Sequence, residues 1–335
     1  MKLKRGIDSS KMGLQKLIYG LIRHSRVLLI SVFICTITSF AQGTKYPVFS
    51  QGKVILQGDS GKWDENDVHT FSVVKANKDG YKYWGYYGMN LYSSDPSLRK
   101  SGLARSNDLI NWQKYAENPI ITENCRWPTV VYNHSTFYMF YAEYDAPAND
   151  SRIVMVTSKD GIHFGNEVVV VPRQTEMQNQ NPFIYYNKQD KNFYLFYYSG
   201  IEKSKDSLSN NWNIMVKKSR DINNLKDSNP TILITSRFTM AAPSIAFYKN
   251  KYYLTVEALN LKIWPKWVTL AYSSDKIDGK YVEVSNNPIM NNNDVCAFQY
   301  VLDGNLYIFY AHMMNSVDPL AKINYWAMKM SKVTR

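Results

Sequence analysis

The segment Trp127–Asp160, WPTVVYNHSTFYMFYAEYDAPANDSRIVMVTSKD, decides how the rest of the chain is read. Thr129–Tyr132 is a short β-rich run, Asn133–Thr136 carries turn residues, and Phe137–Ala142 is an aromatic strand. A polar loop leads to a third run, Arg152–Thr157, which ends in the turn Ser158-Lys159-Asp160. Two β-rich runs joined by a few turn residues form a hairpin, and the third extends it to a meander.

Working outward, the unit is written five times. First strands fall at Phe71–Lys75, Pro128–Tyr132, Pro182–Tyr186, Pro243–Phe247 and Phe298–Leu302, each followed by an aromatic partner such as FYLFYYSG or LYIFYAH. Third strands end in a Ser-x-Asp turn four times, at Ser106, Ser158, Ser219 and Ser273, with steps of 52, 61 and 54 residues. A period near 50 with four strands per unit denotes propeller blades. The expected fold is therefore an all-β, five-bladed β-propeller. A sandwich of coincidentally similar strands would not keep four such turns in phase.

The 335 residues show little long amphipathic helix and suit one all-β domain. A hydrophobic share of 45% with 20% charged residues argues against disorder. Residues 1–41 read as a cleaved signal peptide: basic residues up to Arg26, an apolar run of 14 at Val27–Phe40, and a small-x-small site, Ser39-Phe40-Ala41, before Gln42. Such a run is short of the ~20 residues a membrane span needs. A mature chain of residues 42–335 that is secreted or periplasmic, with no membrane span, is the expectation. Cleavage removes seven Lys/Arg and one Asp, so the net charge falls from +12 to +6, 33 basic residues against 27 acidic. That removes the main support for a nucleic-acid partner. Cys125 and Cys296 remain, and two buried free thiols are expected rather than a disulfide.

Tyr46–Leu56 is strand-like but belongs to no blade, while the last blade, Asn291–Lys332, is short of an outer strand. The N-terminal strand is expected to complete it, since closing the ring with both chain ends removes exposed strand edges. Blades one to four run Asp67–Ile121, Thr122–Pro172, Arg173–Ser236 and Arg237–Met290. First strands line a propeller's axis, so their starts and the ends of second strands share one face. That face collects Asp64, Asp67, His69, Arg126, Trp127, Glu176, Asn181 and Asp294 from the former, and Glu143, Glu257 and His312 from the latter. Trp264 and Trp267 follow on a blade-four loop. Carboxylates around an axial funnel with aromatic platforms suit a sugar. An oligo- or polysaccharide is the expected partner, and the protein is expected to act as a monomer.

The repeat, with WDENDVHTFSVV (Trp63–Val74) and NDLINWQKYAENPII (Asn107–Ile121), resembles the five-bladed glycoside hydrolases of family 43, the arabinanases and β-xylosidases, and relatives in families 32, 62, 68, 117 and 130. The resemblance implies hydrolysis of an O-glycosyl bond, inverting, with an Asp base in blade one, an orienting Asp in blade two and a Glu acid starting blade three. The family's Asp-Pro-Ser stands here as Thr70-Phe71-Ser72, the blade-two site as Trp127-Pro128-Thr129, and Glu-Gly-Pro as Gln180-Asn181-Pro182. The expected base accordingly moves to Asp67, with Asp64 as orienting partner, and the acid to Glu257 or Glu176.

Each residue has a plainer reading beside it. Asp67 can cap a turn, and Glu257, the one acidic residue among the repeat counterparts Tyr87, Ala142, Tyr198 and Ala311, can pair with Arg237 or Lys266. Glu176 sits in the polar loop QTEMQNQN and reads also as a solvated side chain. Glu123 and Asp294 have the same plain reading. His69 and His312 can hold an ion or carboxylate on the axis, or be hydrogen-bonded core. No metal-ligand spacing, nucleotide loop or nucleophile elbow occurs, so no cofactor is expected; a structural Ca²⁺ stays open. Two rivals stand beside the hydrolase: a non-catalytic carbohydrate-binding propeller, and a protein-interaction scaffold with a flat axial face lacking carboxylates.

Overall fold

The computed structural model describes residues 43–65, 67–89, 93–201, 211–264, 266–291, 293–314 and 325–334. The signal peptide expected at residues 1–41 lies outside them. No described helix is long and apolar enough to cross a membrane. Lys45–Arg335 forms one compact unit, to which all the strands belong.

An outer strand, β1 (Lys53–Leu56), comes first. Sheet one is β2 (His69–Lys78), β3 (Tyr81–Met89), β4 (Lys100–Ser106) and β5 (Trp112–Lys114). Sheet two is β6 (Arg126–Asn133), β7 (Thr136–Asp145), β8 (Asp150–Ser158) and β9 (Gly165–Val171). Sheet three is β10 (Gln178–Asn187), β11 (Asn192–Ile201), β12 (Asn211–Ser219) and β13 (Thr231–Ser236). Sheet four is β14 (Thr239–Tyr248), β15 (Lys251–Leu259), β16 (Val268–Ser274) and β17 (Val282–Glu283). Sheet five takes β18 (Asp294–Leu302), β19 (Asn305–Met314) and β20 (Tyr325–Lys332), with β1 antiparallel to β20. All five sheets are four-stranded antiparallel meanders, the blades of a five-bladed propeller.

The inner strands share a device that their sequences disguise. Each breaks register near its start, between His69 and Phe71, Arg126 and Thr129, Gln180 and Phe183, Ala241 and Ser244, and Val295 and Phe298, and β2 does so again between Lys75 and Lys78. At each break near the start one residue takes a left-handed backbone: Thr70, Trp127, Asn181, Ala242 and Cys296, with φ between 47° and 58°. None is glycine, and that conformation costs on the order of 1 kcal/mol or more for a residue with a Cβ. Bulges of this kind bend a strand and re-aim its side chains. They explain why Pro128, Pro182 and Pro243 are tolerated inside strands: proline is at home at bulges and on an edge, and the axial edge of each sheet has no partner strand. From sequence alone the first strands begin at these prolines and the preceding residues fall in loops. Pairing instead continues upstream of the bulge, so His69, Arg126 and Gln180 are strand residues held by a ladder.

Two residues after the left-handed position, Ser72, Thr129 and Ser244 latch each blade to the next. Their hydroxyl oxygens accept from Val130 N at 2.8 Å, Ile184 N at 3.3 Å and Gln299 N at 2.9 Å. Sheets three and five carry phenylalanine there instead, and the Phe183 and Phe298 rings meet 5.4 Å apart. With Phe71 they line an apolar throat of only about 40 Å³. The two mouths of the axis are thereby separate pockets. Cys125 and Cys296 are buried and free, as expected. The Ser-x-Asp turns are structural: Asp108 Oδ1 accepts from Ile110 N at 2.9 Å and Asn111 N at 2.8 Å, and Asp160 does the same for Ile162 and His163.

Candidate functional site

On the face where inner strands begin, a hollow of about 300 Å³ lies over sheets two, three and four. Its wall includes Arg126, Trp127, Gln180, Asn181, Glu257 and Trp267, joined by Tyr144, Gln178, Tyr198 and Trp212. This end of the molecule is concave rather than flat, though its described lining carries a single carboxyl and no cluster of them. The opposite mouth, about 570 Å³, is lined mainly by aliphatic and tyrosine side chains from the far ends of the same strands, and Asp303 is the one carboxylate among its described lining residues.

A polar chain crosses the wall of the hollow. Arg126 Nη1 donates to Gln180 Oε1 at 2.9 Å, and Trp127 Nε1 donates to the same oxygen at 3.2 Å. Tyr198 Oη donates to Gln178 Oε1 at 3.1 Å. The bulges set this up. Arg126 and Gln180 precede the left-handed residue in their sheets, and Trp127 and Asn181 occupy it.

Glu257 is the one carboxyl among the described lining residues and is 4% exposed. It stands on β15 opposite Ala241. No ion pair with Arg237 or Lys266 forms; its Oε2 accepts from the Cys296 thiol at 3.2 Å. Burial raises its pKa above the usual carboxylate range, while His69 nearby and the Cys296 hydrogen bonds pull the other way. The acid therefore stays protonated to higher pH than an ordinary glutamate. Burial, Glu257 and Asp67 push the Cys296 thiol up, so it is an inert donor and not a nucleophile. Asp67 and His69 lie next to this cluster but do not line the hollow; Asp67 Oδ1 is 3.2 Å from His69 Nδ1. The His69 ring packs between aromatics, 4.6 Å from Trp326 and 5.6 Å from Trp127. In sheet one the residue opposite the pre-bulge position is Gly88, not Tyr87, because that bulge skips one residue where the others skip two.

The remaining expected residues stand elsewhere. Asp64, 1% exposed, receives Lys114 Nζ at 2.6 Å and Tyr87 Oη at 3.0 Å, which ties it to β5 and β3 away from the hollow's lining. Glu176 is exposed on a left-handed turn. Glu143 forms a cross-strand pair with Arg152, Nε to Oε2 at 2.5 Å. Asp294 and His312 pair across β18 and β19, also at 2.5 Å, so His312 is engaged within its own sheet. Trp264 packs edge-on against Phe238 at 5.4 Å rather than lining the hollow. Tyr144, Tyr198 and Trp212 carry no site signal in the sequence. They read as packing aromatics there, and only sheet geometry turns them to the cavity. Among the described residues no group of three His, Cys, Asp or Glu could hold a metal ion.

By sequence the chain matches no protein-family model and no curated protein. By structure it is similar to a thermostable family-43 glycoside hydrolase, with TM-score 0.59 and 17% identity over 82% of this chain and 92% of that one. It is also similar to the catalytic domain of the Coprinopsis cinerea family-62 α-L-arabinofuranosidase, TM-score 0.62, 13% identity, covering 87% and 98%. An N-acetylgalactosamine deacetylase from F. plautii aligns equally well, TM-score 0.62, 14% identity, covering 87% and 95%. The fold is that of the five-bladed glycosidase propellers. At these identities the likeness establishes architecture, and chemistry has to come from the site.

Proposed function

We propose that the chain is a secreted or periplasmic glycoside hydrolase that takes a glycan into the hollow over sheets two to four. The observation that carries this is Glu257, a buried carboxyl group, its pKa raised by burial, in the wall of a sugar-sized cavity with aromatic and amide neighbours. Glycoside hydrolysis needs an acid for the leaving oxygen and a carboxylate on the other side of the bond. Glu257 is the acid. Asp67, oriented by His69, is the base that activates water, in an inverting reaction. The signal peptide ends at residue 41, β1 closes the ring, and the mature chain works as a monomer without cofactor or nucleic acid.

A second reading has its own observation. Thr70, Trp127 and Gln180 stand where the family-43 pattern has its three acids, and Gln180 Oε1 already accepts two donors. That favours a carbohydrate-binding propeller without turnover. A panel of plant, microbial and animal glycans, assayed in parallel for released reducing ends and for binding by calorimetry, decides between them. Release of product from any member, abolished in Glu257→Gln, supports the hydrolase. Binding with no release across the panel replaces it with the binding reading.

A further inference from the structure

The opposite mouth of the axis, about 570 Å³, takes no part in the proposed reaction. The apolar throat of Phe71, Phe183 and Phe298 closes it off from the hollow, so it is a cup rather than a channel. One repeat position builds its wall. Five residues past the left-handed residue, each inner strand contributes a side chain to the cup: Lys75, Tyr132, Tyr186, Phe247 and Val301. In three consecutive blades that side chain is a ring, and each ring leans on its cross-strand partner from the second strand. Tyr132 meets Phe137, Tyr186 meets Phe193 and Phe247 meets Tyr252, with centroids 4.5, 4.8 and 4.8 Å apart and planes inclined by 41°, 43° and 48°. The backing rings are buried, whereas Tyr132, Tyr186 and Phe247 stay half-buried in the lining. The three lining rings are thus held in place yet open to a ligand.

The polar groups between the rings are mainly donors. Gln189 Oε1 accepts from Tyr252 Oη at 2.6 Å, and Asn187 Oδ1 accepts from Gln189 N at 3.3 Å. Both amide oxygens are engaged, which leaves their NH₂ groups for a ligand. Lys75 and Lys188 are exposed in the lining and form no ion pair among the described residues. A hydrocarbon chain would strip water from these groups and return no hydrogen bond, and the throat of about 40 Å³ is too small to take one. A folded protein covers far more surface than a recess of this size offers. A nucleic-acid strand needs more than two ammonium groups set against the carboxylate of Asp303. A saccharide chain fits both halves of the lining: its C–H faces stack on fixed rings, and its hydroxyl oxygens accept from amide and ammonium donors. With a single carboxylate the cup lacks the pair that glycoside hydrolysis requires. We propose that this mouth is a second, non-catalytic glycan-binding site, with the chain lying across Tyr132, Tyr186 and Phe247. It goes beyond the hydrolase reading and does not depend on turnover in the hollow.

Affinity electrophoresis of the whole protein through gels carrying soluble xylan, mannan or polygalacturonate tests it. At least one polymer is expected to retard the parent, and Tyr132→Ala/Tyr186→Ala should lose at least tenfold of that affinity. If the ring variant fails to fold, Val301→Arg fills the cup from a position 38% exposed and should weaken binding as much. Equal retardation of parent and variants overturns the inference, and so does no retardation in any of the three gels. Binding of phosphatidylglycerol vesicles or of single-stranded RNA that is lost in the same variants gives the mouth to another class of partner and also overturns it. Product release from a glycan with equal retardation of parent and variants sinks this inference and leaves the hydrolase standing. Retardation lost in the variants, with no product from any glycan, does the reverse.

Discussion

Asp64 and Glu257 are both carboxyl groups almost wholly withdrawn from water, 1% and 4% exposed, and both sit beside aromatic rings. Their surroundings differ in one respect. Asp64 meets a lysine ammonium and a tyrosine hydroxyl, which together settle its negative charge. Glu257 meets the Cys296 thiol in an otherwise largely apolar setting, and burial raises its pKa although His69 and the Cys296 hydrogen bonds pull the other way. Burial by itself therefore says little about function. The partner decides whether a buried acid is a fastening or a reagent.

The sharpest test of that contrast is Glu257→Gln. The substitution keeps the shape and the protonated-like state but cannot release a proton, so turnover should fall about a thousandfold or more. Folding should be little changed. In the unaltered protein the sign of the pH effect follows from the direction of the shift. Because folded Glu257 holds its proton above the ordinary glutamate pKa, its contribution to stability is complete below that ordinary value and is lost as pH rises through the raised one. Turnover should decline over the same alkaline limb, since the donor is then ionised. A stability profile in which Glu257→Gln and the parent coincide at every pH would erase the distinction between the two acids.

Asp64→Asn attacks the other side. It leaves Lys114, whose side chain is 18% exposed, facing a neutral amide and its second partner, the exposed Asp59, at 2.9 Å. Breaking a fully buried pair costs about 3–5 kcal/mol, and partial access of water to Lys114 brings the expectation to about 2–3 kcal/mol in urea unfolding. Turnover per folded molecule should not change. A large loss of turnover with unchanged stability would instead place Asp64 in the chemistry. Replacing Lys114 with Met as well should recover part of the stability, because the double variant leaves only the exposed Asp59 without its lysine.

The contrast also marks what the sequence could and could not disclose. Five sheets were legible because turn chemistry repeats in phase: Ser106, Ser158, Ser219 and Ser273 mark the same corner of successive blades. The axial face was legible too, because alternating strand direction dictates which ends meet there; Arg126, Trp127, Asn181, Glu257 and Trp267 all reach the hollow. Partnership was not legible. Lys114 lies fifty residues from Asp64, Glu143 meets Arg152 across a hairpin, and nothing local announces either contact. The bulges hid as well, since Thr70, Trp127 and Cys296 are poor choices for a left-handed backbone and no glycine flags the position. Side chains brought to the hollow by those bulges, and by second and third strands such as Tyr198 and Trp212, needed coordinates.

A third carboxylate, Asp108, extends the comparison to the surface and carries the smallest effect. It is exposed, and backbone hydrogen bonding from Asn111 and Ile110, with help from the Asn111 side chain and Ser106, lowers its pKa to about 2. An acid depressed in this way stabilises the fold above its ordinary value of ~3.9 and loses that contribution as pH falls through about 2. Asp108→Ala should cost about 1 kcal/mol at neutral pH, the usual size of a lost side-chain cap, and the variant should converge on the parent below pH ~2. Because the turn recurs, Asp160→Ala should behave alike, whereas a turn aspartate whose removal altered turnover would be acting on the hollow. Asp108 caps an outer corner and Glu257 lines the axis, so the former's effect should appear in stability alone.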